Sequence, residues 1–268
     1  MSLKFDHFVH LTPDPTAALE AFGENGLHAV QGGRHEDLGT YNTLSYFEQL
    51  SYVELIGVFD EALARAAGAV KYSLRDTFVQ NDYVDGPQRI AVRSSNLQAL
   101  ADRFETLGYE VNGPIDFSRK RPDGSLVTWK LLFAGKQDEP FNLPFFIEWD
   151  ESDEQRAEDL AARGVIAEHE RGTVSVDGAA FAVSSIDAII DEWATVLQAE
   201  KTKKYVDAAW NATAQRLTLP GGDIIFYEPN GEGTVQQALA NKPGLFALEL
   251  NSTKKEEITI YGALYRFK

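Results

Sequence analysis

Gly32-Gly33-Arg34-His35, followed closely by Gly39-Thr40-Tyr41-Asn42, decides how this 268-residue chain is read. Upstream is a strand-like opening, Phe5-Asp6-His7-Phe8-Val9-His10-Leu11. Downstream, a strand closes with Tyr52-Val53-Glu54-Leu55-Ile56. Thr12-Pro13-Asp14-Pro15 supplies start signals for a helix over residues 16–25, and Gly26 sits just past it, where a left-handed cap is needed. Strand, helix, glycine loop and two further strands make a βαβββ module, which places the chain in the α+β class.

The pattern recurs. Short apolar strands open at His7-Phe8-Val9-His10-Leu11, Arg89-Ile90-Ala91-Val92-Arg93, Ala180-Phe181-Ala182-Val183-Ser184 and Leu245-Phe246-Ala247-Leu248-Glu249. Amphipathic helices follow the first three, over residues 16–25, 97–107 and 186–198. In the second, Leu97, Leu100, Ala101, Phe104 and Leu107 recur at helical spacing. Each of these modules closes on a strand bearing a carboxylate: Glu54, Glu148 and Glu228. Nearly the same number of positions separates His7 from Glu54 and Ala180 from Glu228, and a fixed period is the mark of duplication. The second module is longer because a polar turn, Arg121-Pro122-Asp123-Gly124, extends it. The fourth copy lacks a helix and keeps residues 244–251 and a final strand over 258–267.

Three regions follow. Residues 1–150 hold two paired βαβββ modules, whose mixed sheets curve around a cleft containing the candidate site. Residues 151–170 form a linker, rich in Asp and Glu, that reads as a solvated helix. Residues 171–268 hold the third module and the truncated fourth, a non-catalytic pair that packs against the first half or mediates a homodimer.

The net charge is −16. Such a surface repels phosphate backbones and anionic leaflets, so neither nucleic acid nor membrane is expected as a partner. With no cysteine, disulfides, zinc–thiolate sites and cysteine nucleophiles are excluded. Any metal is held by His, Asp or Glu. Met1-Ser2-Leu3-Lys4 opens no secretory signal, no apolar run reaches membrane-spanning length, and a cytoplasmic setting is expected. No phosphate loop, dinucleotide fingerprint or nucleophile elbow occurs.

The Asp6-His7 pair, the Gly-Gly-Arg34-His35 stretch with Gly39-Thr40-Tyr41-Asn42, Glu54, and Phe146-Ile147-Glu148-Trp149 together resemble the vicinal-oxygen-chelate superfamily, in its glyoxalase-like branch. The resemblance is strongest over residues 3–150. It implies paired βαβββ modules around a metal-lined cleft, with ligands drawn from the first and last strands of each module. Those positions fall on His7, Glu54, Arg89 and Glu148. The implied cofactor is a divalent metal (zinc, nickel, manganese or iron) and the implied ligand a small molecule. Arg89 departs from the pattern, since a guanidinium has no free lone pair. Either His7, Glu54 and Glu148 form a three-ligand site with open positions, or Arg89 replaces the metal's charge and clamps an anion. His10 lies three residues from His7 on a strand and faces the other way.

Residue by residue, His7 reads as a ligand or base. Glu54 follows apolar neighbours at a strand end, where a carboxylate needs a partner. It is a candidate catalytic residue as well as a ligand. Two glycines turn Arg34 and His35 into the cleft, Arg34 for an anionic or carbonyl substrate and His35 as acid or base. Thr40 and Asn42 serve substrate binding or hold the loop through side-chain to backbone bonds. Trp129, Phe145, Phe146 and Trp149 line the cleft or pack the core. Two functions remain open. One is a metal-dependent lyase or isomerase acting on a small carbonyl compound. The other is a metal-free protein that binds an anionic ligand without catalysis.

Overall fold

Strand β1 (Lys4–Leu11) is buried along nearly its whole length because it has a core on each face. Val9 and Leu11 point to one core, Phe5 and Phe8 to another. Phe5 and Phe8, three apart, share a face because the pairing slips between Phe5 and His7, leaving Asp6 in a bulge. The computed structural model describes residues 3–121, 123–137 and 139–268. Met1 and Ser2, and Pro122 of the polar turn, lie outside them.

Helix α1 (Pro15–Glu24) starts where Asp14 accepts from the Thr16 amide at 2.8 Å, with proline in the first turn. Strands β2 (Val30–His35), β3 (Thr40–Tyr46) and β4 (Tyr52–Val58) complete the first module. The segment joining the modules folds into two short helices, α2 (Glu61–Ala67) and α3 (Leu74–Gln80). The second module is β5 (Gly86–Arg93), α4 (Leu97–Thr106), β6 (Glu110–Lys120), β7 (Leu126–Gly135) and β8 (Phe145–Trp149).

The two modules close completely into a barrel of order β1-β4-β3-β2-β6-β7-β8-β5. β1 and β4 run parallel, as do β5 and β8, while β1 and β5 meet antiparallel around Phe8 and Ile90. Closure depends on the contact of Arg34 with Lys120. Gly32 and Gly33, expected in a loop, lie inside strand β2. A Cβ on Gly32 would sit 2.2 Å from Asn42 Oδ1, and one on Gly33 would sit 2.2 Å from the Lys120 carbonyl oxygen. The glycines therefore let β6 come close enough to shut the barrel.

Helix α5 (Asp153–Ala162) has a capping box between Ser152 and Gln155. Asp153 pairs with Lys4 and Arg93, and Asp159 with Arg121, so the linker is more than a solvated connection. Arg156 is buried, its guanidinium 4.0 Å from the centre of the Trp149 ring, and Leu160 packs with Leu44, Tyr46 and Tyr52. The linker therefore helps to seal one end of the barrel.

The second half comprises β9 (Ser175–Ala182), α6 (Ile190–Leu197), β10 (Glu200–Lys201), β11 (Tyr205–Asp207), β12 (Ala212–Thr218), β13 (Asp223–Pro229), α7 (Thr234–Asn241), β14 (Gly244–Asn251), β15 (Glu256–Ile260) and β16 (Ala263–Phe267). Its eight strands form an open sheet, β10-β12-β13-β9-β14-β16-β15, with β11 beside β12. The fourth module keeps a hairpin, β15–β16, where a single last strand was expected. One core runs between the halves: Phe5, Phe8, Phe22 and Phe104 belong to the same cluster as Phe181, Trp193, Phe226 and Tyr265. No helix among the described residues is long and apolar enough to cross a membrane.

Candidate functional site in the N-terminal barrel

Alternation along each strand sends every second side chain into the barrel. From β1, β2, β3 and β4 these include His7, His35, Asn42, Tyr52 and Glu54; β7 and β8 add Trp129, Phe145 and Trp149. Phe146 faces the outer core instead. Arg119 of β6 and Arg75 of α3 reach the same cavity. Its volume is only about 40 Å³, close to the share of one water molecule in the liquid, ~30 Å³.

Asp6 and His7 form the best-ordered pair. His7 Nδ1 lies 2.7 Å from Asp6 Oδ1, and its Nε2 lies 3.7 Å from Glu54 Oε2. Asp6 is fully buried and also accepts from Arg93 at 2.9 Å and from the Trp149 indole at 3.1 Å. Burial alone would raise its pKa. The His7 hydrogen bond and the charges of Arg93 and Arg156 outweigh that and hold the carboxyl well below its ordinary range. An ionised Asp6 only accepts, so Nδ1 carries a proton and Nε2 faces the cavity. The imidazole is clamped between Tyr52, stacked at 4.5 Å, and Phe145, edge-on at 5.4 Å.

Glu54 Oε1 accepts from Asn42 Nδ2 at 2.5 Å, and Arg119 donates to Asn42 Oδ1 at 3.1 Å. Arg75 donates to Thr40 Oγ1 at 3.1 Å, and Thr40 also meets His35 Nδ1 at 3.0 Å. Thr40 and Asn42 thus bind side chains, not the loop backbone. Burial lowers the pKa of Arg75 to about 10, with the Glu54 charge opposing, so it stays cationic at neutral pH. Burial, then the charges of Arg75 and Arg119, keep His35 neutral.

Three expected site residues lie elsewhere. Arg34 alternates with His35 and points outward, pairing with Glu36 at 3.2 Å and stacking 3.6 Å from the centre of the Phe59 ring. Glu148 faces away from the cavity and accepts from the Leu97 amide at 2.6 Å, at the start of α4. Arg89 is buried and donates to Tyr72 O at 3.0 Å, to Thr77 Oγ1 at 2.9 Å and to Leu143 O.

The parallel pairings explain the misplacement of Glu148. Leu11 pairs with Ile56, Arg93 with Ile147, and Ala182 with Tyr227. In each case the next amide (Thr12, Ser94, Val183) donates back to that partner. Ile56, Ile147 and Tyr227 are therefore equivalent. Two positions earlier stand Glu54, Phe145 and Ile225; one position later stand Gly57, Glu148 and Glu228. Glu228 accepts from Ile186 N at 2.9 Å, as Glu148 does from Leu97. The three carboxylates are not one repeated position. The same pairings place Arg89 opposite His7 in the repeat, as the sequence predicts, but make Gly178, not Ala180, the third counterpart.

The divalent metal implied by the resemblance does not fit this donor set. Of the four strand positions that would supply ligands, Arg89 and Phe145 occupy two. No group of three or more His, Asp or Glu side chains that could hold a metal occurs among the described residues. The sequence reading missed Arg75 and Arg119. Arg119 continues the inward alternation Ile115, Phe117, Arg119, a signal present in the sequence. Arg75 comes from the inter-module segment, and only its serine cap, Ser73, hinted at a helix there.

The family model described as a glyoxalase-like domain matches residues 5–197. Among solved structures, a hypothetical protein from Staphylococcus aureus is 22% identical with a TM-score of 0.80, over 99% of each chain. A mutant of 4-hydroxymandelate synthase from Streptomyces coelicolor is 11% identical with a TM-score of 0.55, over 94% of this chain and 71% of that one. Methylmalonyl-CoA epimerase from Mycobacterium tuberculosis is 20% identical with a TM-score of 0.40, over 59% of this chain and 91% of that one. At these identities the likeness concerns the fold. No curated protein matches the chain.

Proposed function

Since this chain belongs to the glyoxalase-like domain family, we propose that its barrel transfers a proton on a small anionic carbonyl compound, as a lyase or isomerase that uses no bound divalent metal. One observation carries the reading. A histidine whose Nδ1 is held by a buried carboxylate shares a cavity with Glu54 and two guanidiniums. Arg75 and Arg119 hold the substrate's carboxylate and the negative charge that develops on its carbonyl oxygen. His7 Nε2 takes the proton from the carbon beside the carbonyl, and the bond's electron pair passes into the enolate. Asp6 and Glu54 stabilise the imidazolium, which returns the proton. His35 is neutral, so it positions Thr40 and, through it, Arg75. The present cavity admits little more than a water, so entry requires movement of the segment that carries Arg75. A cytoplasmic location goes with this reading.

A second reading, anion binding without catalysis, draws on the same guanidiniums and the small volume of the cavity. The separating experiment follows exchange of solvent deuterium into pyruvate and 2-oxobutyrate by proton NMR. We expect protein-dependent exchange that survives chelators and that falls by ~100-fold or more in His7→Asn. Saturable binding with no exchange would leave only the binding reading. Exchange lost on chelation and restored by a metal would sink the metal-free mechanism.

A further inference from the structure

A second, larger cavity of about 300 Å³ lies where the two halves meet. That is the lower end of the usual range for small-molecule sites, roughly 300–1,000 Å³. Helix α3, the start of β5 and residues 139–144 line it from the barrel side. Phe181 of β9 and Lys242, Pro243 and Leu245 line it from the other half.

Its two cations form no ion pair among the described residues, although the charge of Asp76 acts on Arg89 from a distance. Arg89 is 4% exposed, every hydrogen-bond acceptor its guanidinium meets is neutral, and its Nε has no hydrogen-bond partner. The exposed Lys242, at the rim, donates to the Asn81 side-chain oxygen and forms no ion pair among the described residues. Burial depresses both pKa values, that of Arg89 to about 9, the mark of a charge short of compensation. In a chain with 41 Asp and Glu residues and a net charge of −16, leaving the buried Arg89 without an ion pair beside a cavity is an expensive arrangement. Glu139 is the only carboxylate among the described lining residues. It pairs with neither Arg89 nor Lys242 among the described residues.

We propose that this interface cavity is a binding site for a small organic anion, its acid group neutralising Arg89 and Lys242 and its apolar body lying on Phe141 and Phe181. Gln80, Asn81 and Asn142 offer amides for further hydrogen bonds. The proposal is independent of proton transfer in the barrel. Phe145, whose ring centre is 5.9 Å from the Arg89 guanidinium, lines the barrel cavity but not this one. Helix α3 serves both cavities, turning Arg75 into the barrel and Thr77 and Gln80 toward the interface.

The test is calorimetric titration of the full-length chain with benzoate, phenylacetate and phenyl phosphate, with benzamide as the neutral control. Carboxylate and phosphate arms distinguish which acid group the site takes. We expect saturable binding of at least one anion, and benzamide weaker by about tenfold or more. Lys242→Gln, chosen because Arg89 also ties down backbone carbonyls, should weaken the anion by roughly 10- to 100-fold, the worth of one charge-assisted hydrogen bond. Glu54→Gln in the barrel should leave it unchanged. Hydrogen exchange should slow at residues 74–81 and 242–245. Failure of all three anions to saturate, equal binding of benzamide, or an equal loss in Glu54→Gln would overturn the proposal.

Discussion

At the scale of single residues, Asp6 organises the barrel site. It holds the His7 tautomer on one oxygen and receives Arg93 and the Trp149 indole on the other. Its carboxyl is held below its ordinary value of 3.8, so the stability it contributes is present above that pH and is lost as pH falls toward the folded value. Asp6→Asn leaves two buried arginines facing a neutral amide. Loss of one partner from a buried charge cluster costs ~3–5 kcal/mol. We expect a large, nearly constant drop in stability from neutral pH to about pH 5, narrowing below about pH 4 as Asp6 of the unfolded wild-type chain takes up its proton while the folded one stays ionised. Urea unfolding across that range measures it. A gap that widened on acidification would show that Asp6 is not the group responsible.

At the scale of elements, two carboxylates read as closing equivalent strands, Glu148 among them as a metal ligand, tie down the backbone that follows β5 and β9. Glu148 and Glu228 sit at equivalent positions of β8 and β13; Glu228 accepts from Ile186, ahead of α6, and Glu148 from the first amide of α4. A carboxylate there satisfies an orphan donor and complements the helix dipole. Glu148→Ala should therefore destabilise by ~0.5–2 kcal/mol, while the deuterium exchange assay is unaffected. A loss of activity without loss of stability would restore Glu148 to the site. The glycine pair shows the same lesson from the other side. Gly32-Gly33 marked an important place, but its job is room for the Lys120 carbonyl and the Arg119 guanidinium.

At the scale of the whole molecule, the halves are one folding body, since a single core joins them. His10 is a polar tie across that boundary. Its Nδ1 lies 2.7 Å from the Tyr265 hydroxyl and its Nε2 3.1 Å from the Tyr261 carbonyl. Burial lowers its pKa to about 4, with the Tyr261 hydrogen bond opposing. The unfolded chain then binds the extra proton between pH 6.5 and about 4, so stability falls as pH falls through that window. The shift corresponds to an upper bound of ~3 kcal/mol. His10→Gln should lower stability at pH 7 and flatten the slope from pH 6.5 to 4. Some slope persists, because burial lowers His35 and His169 in the same direction. An unchanged slope in thermal unfolding would place the acid sensitivity elsewhere.

The sequence by itself determined the module. Apolar alternation, helix spacing, capping residues and the glycines past the helices are local signals, and they located β1, α1, β4, β5, α4 and the repeat in the second half. The resemblance singled out His7 and Glu54 and the glycine stretch singled out His35, and all three line the barrel cavity. Facing was decided only by tertiary structure. On a strand one position exchanges inside for outside, so the bulge at Asp6 and the register of β8 settle what counting from a repeat cannot. Arg34 and Glu148 fell on the outer face for that reason. Arg75 and Arg119 entered the cavity because α3 and β6 pack against the first module, through contacts distant in sequence. Lys242 and Arg89 line one cavity only because two halves fold against each other, and no local pattern records that meeting.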